Sequence, residues 1–318
     1  MQPGRSILIT GATSGMGREA ALRLARGGHL VLAGGRRRDL LAGLATESAG
    51  LVEPLVLDVT DPASVASAAE LVERRTGGRG LDVLVNNAGY ALPGPLEALA
   101  EADLRELFEV NLFGLLAVTR AFLPAMRERG QGRVVNVGSI MGRVAMPLLG
   151  AYNASKHAVA AVTDALRIEL APFGVTVVLV EPGAVRTGFA ARALSGLAPY
   201  RDPGSPYAAA LAGTDAAWAR VYRFAPGPAA AGRAIARAAT APAPAPRYVV
   251  PAHNRLVVAV LAALPTPAAD AAKRLIMGLP GRPGRPGLSN HRGGSGRPGR
   301  RGRPSPPGSE TGPPGGGA

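Results

Sequence analysis

From residue 5 to about residue 250, short apolar runs alternate with longer segments in which apolar positions recur every three to four residues. The short runs predict strands at Ser6–Thr10, Leu30–Gly34, Leu51–Leu57, Val83–Asn86, Arg133–Val137, Thr176–Val180 and Arg247–Val250. Several are unbroken stretches of Val, Ile and Leu, the pattern of a strand covered on both faces. The longer segments, such as Arg18–Arg26, Pro62–Arg75, Glu101–Glu128 and Ala151–Pro172, carry the helical period. Strand–helix alternation of this kind specifies a doubly wound parallel α/β sheet of about seven strands, wound right-handed, with helices on both faces.

Three regions depart from that rhythm. Residues 186–227 gather Pro, Gly and Ser around a shorter helical piece, Pro206–Tyr222. An insertion beside the C-terminal ends of the strands is where a substrate pocket is expected. Residues 253–279 predict a helical pair interrupted at Pro265 and Pro267. Its first half is apolar almost all round, which suits a core or dimer helix better than an element lying on a membrane. Residues 280–318 are Gly, Pro, Arg and Ser with few large apolar side chains, a composition that predicts disorder. The expected organisation is therefore a catalytic domain over 1–252, a helical extension over 253–279 and a basic tail over 280–318.

Composition narrows the chemistry. There is no cysteine, which excludes disulfides, thiolate catalysis and cysteine-ligated zinc, and the four histidines lack metal-ligand spacing. No metal site is expected. The N-terminus lacks a signal-peptide pattern, and the longest apolar run, Leu256 to Leu264, is about half of the ~20 residues that span a bilayer. The sequence reads as cytoplasmic, with a peripheral place at a membrane left open. The net charge of +14 is uneven: beyond Pro280 seven arginines face Glu310, giving +6 there and leaving +8 elsewhere. Specific nucleic-acid binding is not expected from this distribution.

The turn after the first strand reads Thr10-Gly11-Ala12-Thr13-Ser14-Gly15-Met16-Gly17. Glycines there allow a tight turn and let backbone N–H groups approach a pyrophosphate at a helix N-terminus. A dinucleotide site of the NAD type expects an acid at the end of the second strand. Here that segment is Ala33-Gly34-Gly35-Arg36-Arg37, with no carboxylate before Asp39. A small residue followed by arginine leaves room for a 2′-phosphate and neutralises it, so NADP(H) is favoured over NAD(H) through Arg36. Asp58, after the third strand, either accepts a bond from the adenine amino group or caps the helix beginning near Pro62.

Only two lysines occur among the 36 Lys and Arg residues, Lys156 and Lys273. Lys156 lies four residues after Tyr152, one turn along the same helix face. An ammonium beside a phenol favours the phenolate and lowers the tyrosine pKa towards working pH. Arginine, planar and permanently charged, does not substitute for it. His157 points about 100° away from Lys156 on the helix, and Ser155 reads as a packing residue. The segment Gly138-Ser139-Ile140-Met141-Gly142 lacks the spacing of a hydrolase nucleophile elbow.

In this order the motifs resemble the short-chain dehydrogenase/reductase family, including its hydroxysteroid and retinol dehydrogenase-like members. The match covers residues 5 to about 250. It includes Thr10–Gly17, Asn86-Asn87-Ala88-Gly89, Asn111, Ser139, Tyr152-x-x-x-Lys156, Pro182-Gly183 and Thr187. The resemblance implies a Rossmann-type fold and an oxidoreductase acting on CH–OH groups. It implies Tyr152 as general acid/base, Lys156 as its partner and as a ligand of the nicotinamide ribose, Ser139 holding the substrate oxygen, and Asn111 anchoring a proton relay. It assigns cofactor contacts to Gly11, Thr13, Ser14, Gly15, Met16, Gly17, Asn87, Ala88, Gly89, Pro182, Gly183 and Thr187. Asn86 to Gly89 are expected to support the sheet and the adenosine side.

Ser139, Ile140, Met141 and Tyr152 are expected to meet substrate. Met146, Leu148, Leu149, Tyr90, Leu92, Phe189 and the Pro206–Tyr222 helix would complete a lining without charge, which suits a lipophilic ketone or alcohol. Two other functions compete: a noncatalytic NADP-binding regulator, and a membrane or nucleic-acid adaptor acting through the basic tail. A homodimer or homotetramer is expected, paired through Glu101–Glu128 and Ala151–Pro172, with at most weak attraction to a membrane surface.

Overall fold

A computed structural model describes residues 4–188 and 194–281. The proposed tail from Arg282 onward and Phe189 lie outside the described residues. Seven strands form one wholly parallel sheet: β1 (Ser6–Ile9), β2 (Leu30–Gly35), β3 (Val52–Val56), β4 (Val83–Asn86), β5 (Gly132–Val137), β6 (Val175–Pro182) and β7 (Arg247–Val250). Their spatial order is β3-β2-β1-β4-β5-β6-β7. The order reverses direction between β1 and β4, where Leu8 sits in register with Leu84. Ligands in open α/β sheets bind at this switch point, beyond the carboxyl ends of the strands.

The two faces follow from the alternation of side chains along each strand. Ile7, Ile9, Val31, Val83 and Val85 project to one side with α1 (Gly15–Arg26) and α9 (Pro228–Thr240). Leu8, Leu32, Leu84, Val134 and Val177 project to the other. There they pack with α3 (Pro62–Thr76) and α5 (Gly114–Glu128). The continuous apolar runs are thus explained by a sheet that is dry on both sides. α2 (Arg38–Glu47) leans on β3, and α6 (Gly150–Glu169) packs Val159 and Ala160 against Leu115 and Leu179.

Three elements refine the sequence expectation. The Glu101–Glu128 segment is α4 (Glu101–Phe108), a widened π-type turn over Glu109–Phe113, and α5. Such turns insert one residue into the helical ladder and recur at functional sites; this one holds Asn111. With a mean hydropathy of 1.4 the stretch is long and apolar enough to cross a membrane, yet here it packs on β4 and β5. The Pro206–Tyr222 helix is instead two, α7 (Ala208–Leu211) and α8 (Thr214–Arg223), parted at Ala212 and Gly213, where Gly213 comes too close to Gly278 for a side chain to fit. The final pair is α10 (Asn254–Ala263) and α11 (Thr266–Met277), separated at Leu264 and Pro265. Pro267 starts α11 rather than interrupting it, since the first helical turn needs no backbone donor.

Candidate active site

The glycine turn is held from beneath by β4. The Thr10 hydroxyl accepts from the backbone N–H groups of Asn87 and Ala88, each at 3.0 Å. The Asn87 amide donates back to the carbonyls of Thr10 and Gly11 at 3.0 and 3.1 Å. Gly11 and Gly15 have φ of +64° and +57°, which disfavours side chains. Gly17 has no room for one: a Cβ there would lie 2.7 Å from the Gly11 carbonyl oxygen and collide with the Asn87 amide. Asn86 faces inward instead, donating to Thr119 and Asn136 at 2.9 Å each. The Asn-Asn-Ala-Gly segment therefore braces the turn.

A cavity of about 890 Å³ opens over these strand ends. Gly11, Thr13, Ser14, Gly15 and Met16 line its floor, with Asn87, Ala88 and Gly89 beside them. Pro182, Gly183 and Thr187 line it from the β6 side. Gly17 lies beneath the wall rather than on it.

Arg36 and Arg37 form the rim beyond β2. Arg36 extends into solvent, 3.8 Å from the Asp58 carboxylate. Arg37 donates to the Thr13 hydroxyl at 3.5 Å, so it belongs to the same rim, although the sequence singled out Arg36 alone. The run of arginines was the available signal. Asp58 accepts from the Thr60 N–H and hydroxyl at 3.0 and 2.8 Å. Burial pushes its pKa up, but the Thr60 bonds and the Arg36 charge outweigh burial and hold it below the usual range. It does not cap α3, whose N-cap is Asp61.

The structure brings Ser139, Tyr152, Lys156 and Asn111 together. Ser139 follows β5 and is fixed by donating to the Pro182 carbonyl at 3.3 Å and accepting from the Met141 N–H at 3.1 Å. Its side chain also bonds to Tyr152, which lines the cavity from the first turn of α6. The Lys156 ammonium is buried, donates to the Val137 carbonyl at 3.0 Å and stands 5.9 Å from the centre of the Tyr152 ring. Asn111 uses its amide fully: it donates to the Tyr90 carbonyl and the Ser155 hydroxyl and accepts from the Tyr90 N–H, all at 3.0 Å. Ser155 also donates to the Tyr152 carbonyl at 2.8 Å, and the His157 ring turns back to the Asn153 carbonyl.

The electrostatics correct one expectation. The Tyr152 phenol is raised above its ordinary value, because burial disfavours the phenolate. The Ser139 bond works in the opposite direction, and nearby Tyr222 adds to the rise. Lys156 is itself lowered to about 8 by burial. The lysine spacing is right for one helix face, but burial dominates the phenol and raises it.

Ile140, Met141 and Met146 line the cavity beyond Tyr152, as does Tyr90. Leu92, Leu148 and Leu149 do not. Leu149 is buried behind Tyr152 in a cluster with Trp218 and Met277, and Leu92 packs under Leu99 and Leu107. The remaining wall comes from α8 through Trp218, Val221 and Tyr222, whose first and last rings stack at 5.8 Å. Helices α10 and α11 supply Val257, Val258, Leu261, Ile276 and Met277. The sequence offered that pair as a core, dimer or membrane helix; its role as a cavity wall was not foreseen. The only signal was an apolar surface wider than one packing face requires. Asn254 at the head of α10 presses on Gly183, leaving no space there for a side chain.

Residues 5–197 match the protein-family model of short chain dehydrogenase. The uncharacterized oxidoreductase YbbO of Escherichia coli is 43% identical over 185 residues, 58% of this chain and 67% of that protein. A 3-ketodihydrosphingosine reductase of Bacteroides thetaiotaomicron is 40% identical over 59% of this chain and 66% of its own length. In three dimensions, a short chain dehydrogenase from Burkholderia cenocepacia in complex with NADP superposes with a TM-score of 0.65 at 29% identity. That likeness covers 86% of this chain and 99% of the other.

Proposed function

We propose, starting from the fact that the chain belongs to the short chain dehydrogenase family, that it is an NADP(H)-dependent oxidoreductase interconverting a lipophilic ketone or aldehyde and its alcohol. The observation that carries this reading is that Ser139 and Tyr152, with Lys156 buried beside the Tyr152 ring, face one cavity whose two ends differ in character. The end over the glycine turn is rimmed by Arg36 and Arg37; the other is walled by Ile140, Met141 and apolar and aromatic side chains from α8, α10 and α11.

The residues present fit a nicotinamide dinucleotide phosphate. Gly11, Gly15 and Gly17 leave the backbone bare where a pyrophosphate would lie, at the start of α1. Arg36 and Arg37 supply the charge for a 2′-phosphate, and Gly35 keeps the space beside Thr13 open. Bound there, the cofactor supplies or accepts the hydride.

The protein's own residues handle the oxygen and its proton. In the reductive direction Tyr152 donates its phenolic proton to the substrate oxygen, and in oxidation its phenolate takes the alcohol proton. Ser139, already fixed by Pro182 and Met141, donates to the same oxygen and stabilises charge developing on it. Lys156 keeps a cation beneath the phenol and refills its proton; Asn111 fixes the Tyr90–Ser155 framework beside them. Thr187 and Gly183 form the wall against which the nicotinamide end would rest.

The apolar far wall suits a long-chain or polycyclic substrate, in line with a relative named as a 3-ketodihydrosphingosine reductase. We place the protein in the cytoplasm, peripheral to a membrane, as a homodimer or homotetramer. Phe113, Ile168 and Phe173 stand exposed on or beside the two helices expected to pair the subunits. The test screens ketones and alcohols with NADPH/NADP and NADH/NAD in parallel. A preference for NADPH of about tenfold or more is expected from two charge-assisted contacts. Preference for NADH would sink the arginine argument. Tyr152→Phe should lower turnover by about 10²–10⁴-fold while still binding NADPH; turnover at the parent rate would remove the phenol from the mechanism.

A further inference from the structure

Helix α10 carries one charge in ten residues, Arg255. At 100° per residue, Val258 and Leu261 face the cavity, while Leu256, Val260 and Leu264 form a stripe spaced four apart on the outside. That outer stripe is in solvent: Leu256 is 69% and Val260 49% exposed. Val257, between the two faces, both lines the cavity and is exposed. The apolar surface thus runs without a break from the cavity wall out to water. The same holds on α8 and after it, where Val221 and Phe224 line the opening and Phe224 is 81% exposed. On α11, Leu275 is 74% exposed next to the cavity residues Ile276 and Met277. Isolated exposed leucines are ordinary, but seven large apolar side chains around one opening form a patch of the kind that marks a binding surface.

The charges on these elements decide what that surface meets. From Thr214 to Phe224 and along α10 and α11 there are Arg220, Arg223, Arg255, Lys273 and Arg274 against Asp215 and Asp270, a net charge of +3. Asp215 is paired with Arg201, and Asp270 with Lys273. Arg220, Arg223, Arg255 and Arg274 make no ion pair among the described residues. Two copies meeting through this face would oppose like charges. A surface of anionic headgroups over an acyl layer matches both the basic residues and the apolar stripe.

We propose that the rim formed by α8, α10 and α11 docks on an anionic phospholipid bilayer, so that substrate enters the cavity from the acyl layer without crossing water. The entry route rests on the lipophilic-substrate reading above; the docking itself does not. The full-length protein, without cofactor or substrate, is sedimented with phosphatidylcholine vesicles containing about one-third phosphatidylserine. It should bind them, and pure phosphatidylcholine or high salt should lower the bound-to-free ratio by about tenfold or more. The triple variant Leu256→Ser, Val260→Ser, Leu275→Ser changes only exposed side chains that do not line the cavity. It should lose binding by about tenfold or more, with circular dichroism and reduction of a short water-soluble ketone unchanged. Parent-like vesicle binding by that variant overturns the proposal and leaves the basic residues alone as the cause. A lowered oligomeric state with unaltered vesicle binding also overturns it, making the face a contact between copies. If lipophilic ketones are not turned over but vesicles are bound, docking stands and the substrate reading falls. If turnover is normal and vesicles are not bound, the reverse holds.

Discussion

At one end of the cavity, Thr10, Asn87 and the glycines of the first turn lock one another through bonds of 3.0–3.1 Å within two neighbouring strand ends. At the other, Trp218, Leu261 and Met277 line one wall from three helices, α8 being far in sequence from α10 and α11. The first end is specified by backbone: bare glycines, a fixed turn and few ways to change it. The second is specified by volume and apolar character, which many sequences satisfy. Between them stand Ser139, Tyr152 and Lys156, anchored to the carbonyls of Pro182 and Val137 on β6 and β5. One cavity thus joins a rigid half suited to a constant ligand with a half free to vary in what it admits.

The largest effect should come from the residues between the halves. Lys156 donates to Val137 in a buried site, with its Nζ 3.6 Å from where a Gly89 side chain would begin. A guanidinium is wider and planar and cannot occupy that space in the same way. Lys156→Arg should fold and bind NADPH but lose about 10²-fold or more in kcat; near-parent rates would show that the lysine serves only as a charge. The pH profile gives an independent view. Because burial holds Lys156 at about 8, kcat/KM for reduction should fall as pH rises through that value in the free enzyme. For stability the sign is opposite. The folded chain binds fewer protons on Lys156 than the unfolded chain between about 8 and the ordinary 10.5, so this group makes stability rise with pH across that window.

A smaller but sharper break targets the rigid half. Gly17→Ala sets a methyl group 2.7 Å from the Gly11 carbonyl and against the Asn87 amide, so the turn must shift. The expected result is a stability loss of about 1–3 kcal/mol by denaturant unfolding. NADPH affinity should weaken by about tenfold or more, measured by fluorescence titration. Unchanged affinity would mean that the turn is not where the cofactor's phosphates bind.

Legibility in the sequence divides along the same line. Thr10–Gly17, Asn86–Gly89 and the Tyr152–Lys156 spacing could be read because each expresses a local requirement of backbone or helix face. The strand runs were legible because a sheet buried on both sides admits few polar residues. What escaped was set by tertiary context. Nothing local says that Leu149 turns behind Tyr152 while Met146 faces the cavity, or that Gly213 packs against Gly278. The pKa of Tyr152 escaped for the same reason. Its lysine neighbour was visible in the spacing, but the burial that raises the phenol comes with Trp218, Leu149 and Met277, two of them from distant segments.

The smallest expected effect is the one that separates the halves most cleanly. Leu261 lies on α10, lines the cavity, and stands apart from the glycine turn, the arginine rim and the catalytic hydroxyls. Leu261→Ala removes apolar contact from the far wall and leaves the bonds around Thr10 and Ser139 intact. A hydrophobic pocket discriminates by about 1–3 kcal/mol for each methylene it holds, and a partly exposed wall should fall at the low end of that range. For a long-chain ketone, kcat/KM should therefore fall about three- to tenfold. For a short ketone that does not reach α10 it should stay unchanged, as should NADPH affinity. If both ketones lose rate equally, α10 acts by supporting Gly183 through Asn254 rather than by touching substrate, and the two halves are mechanically one.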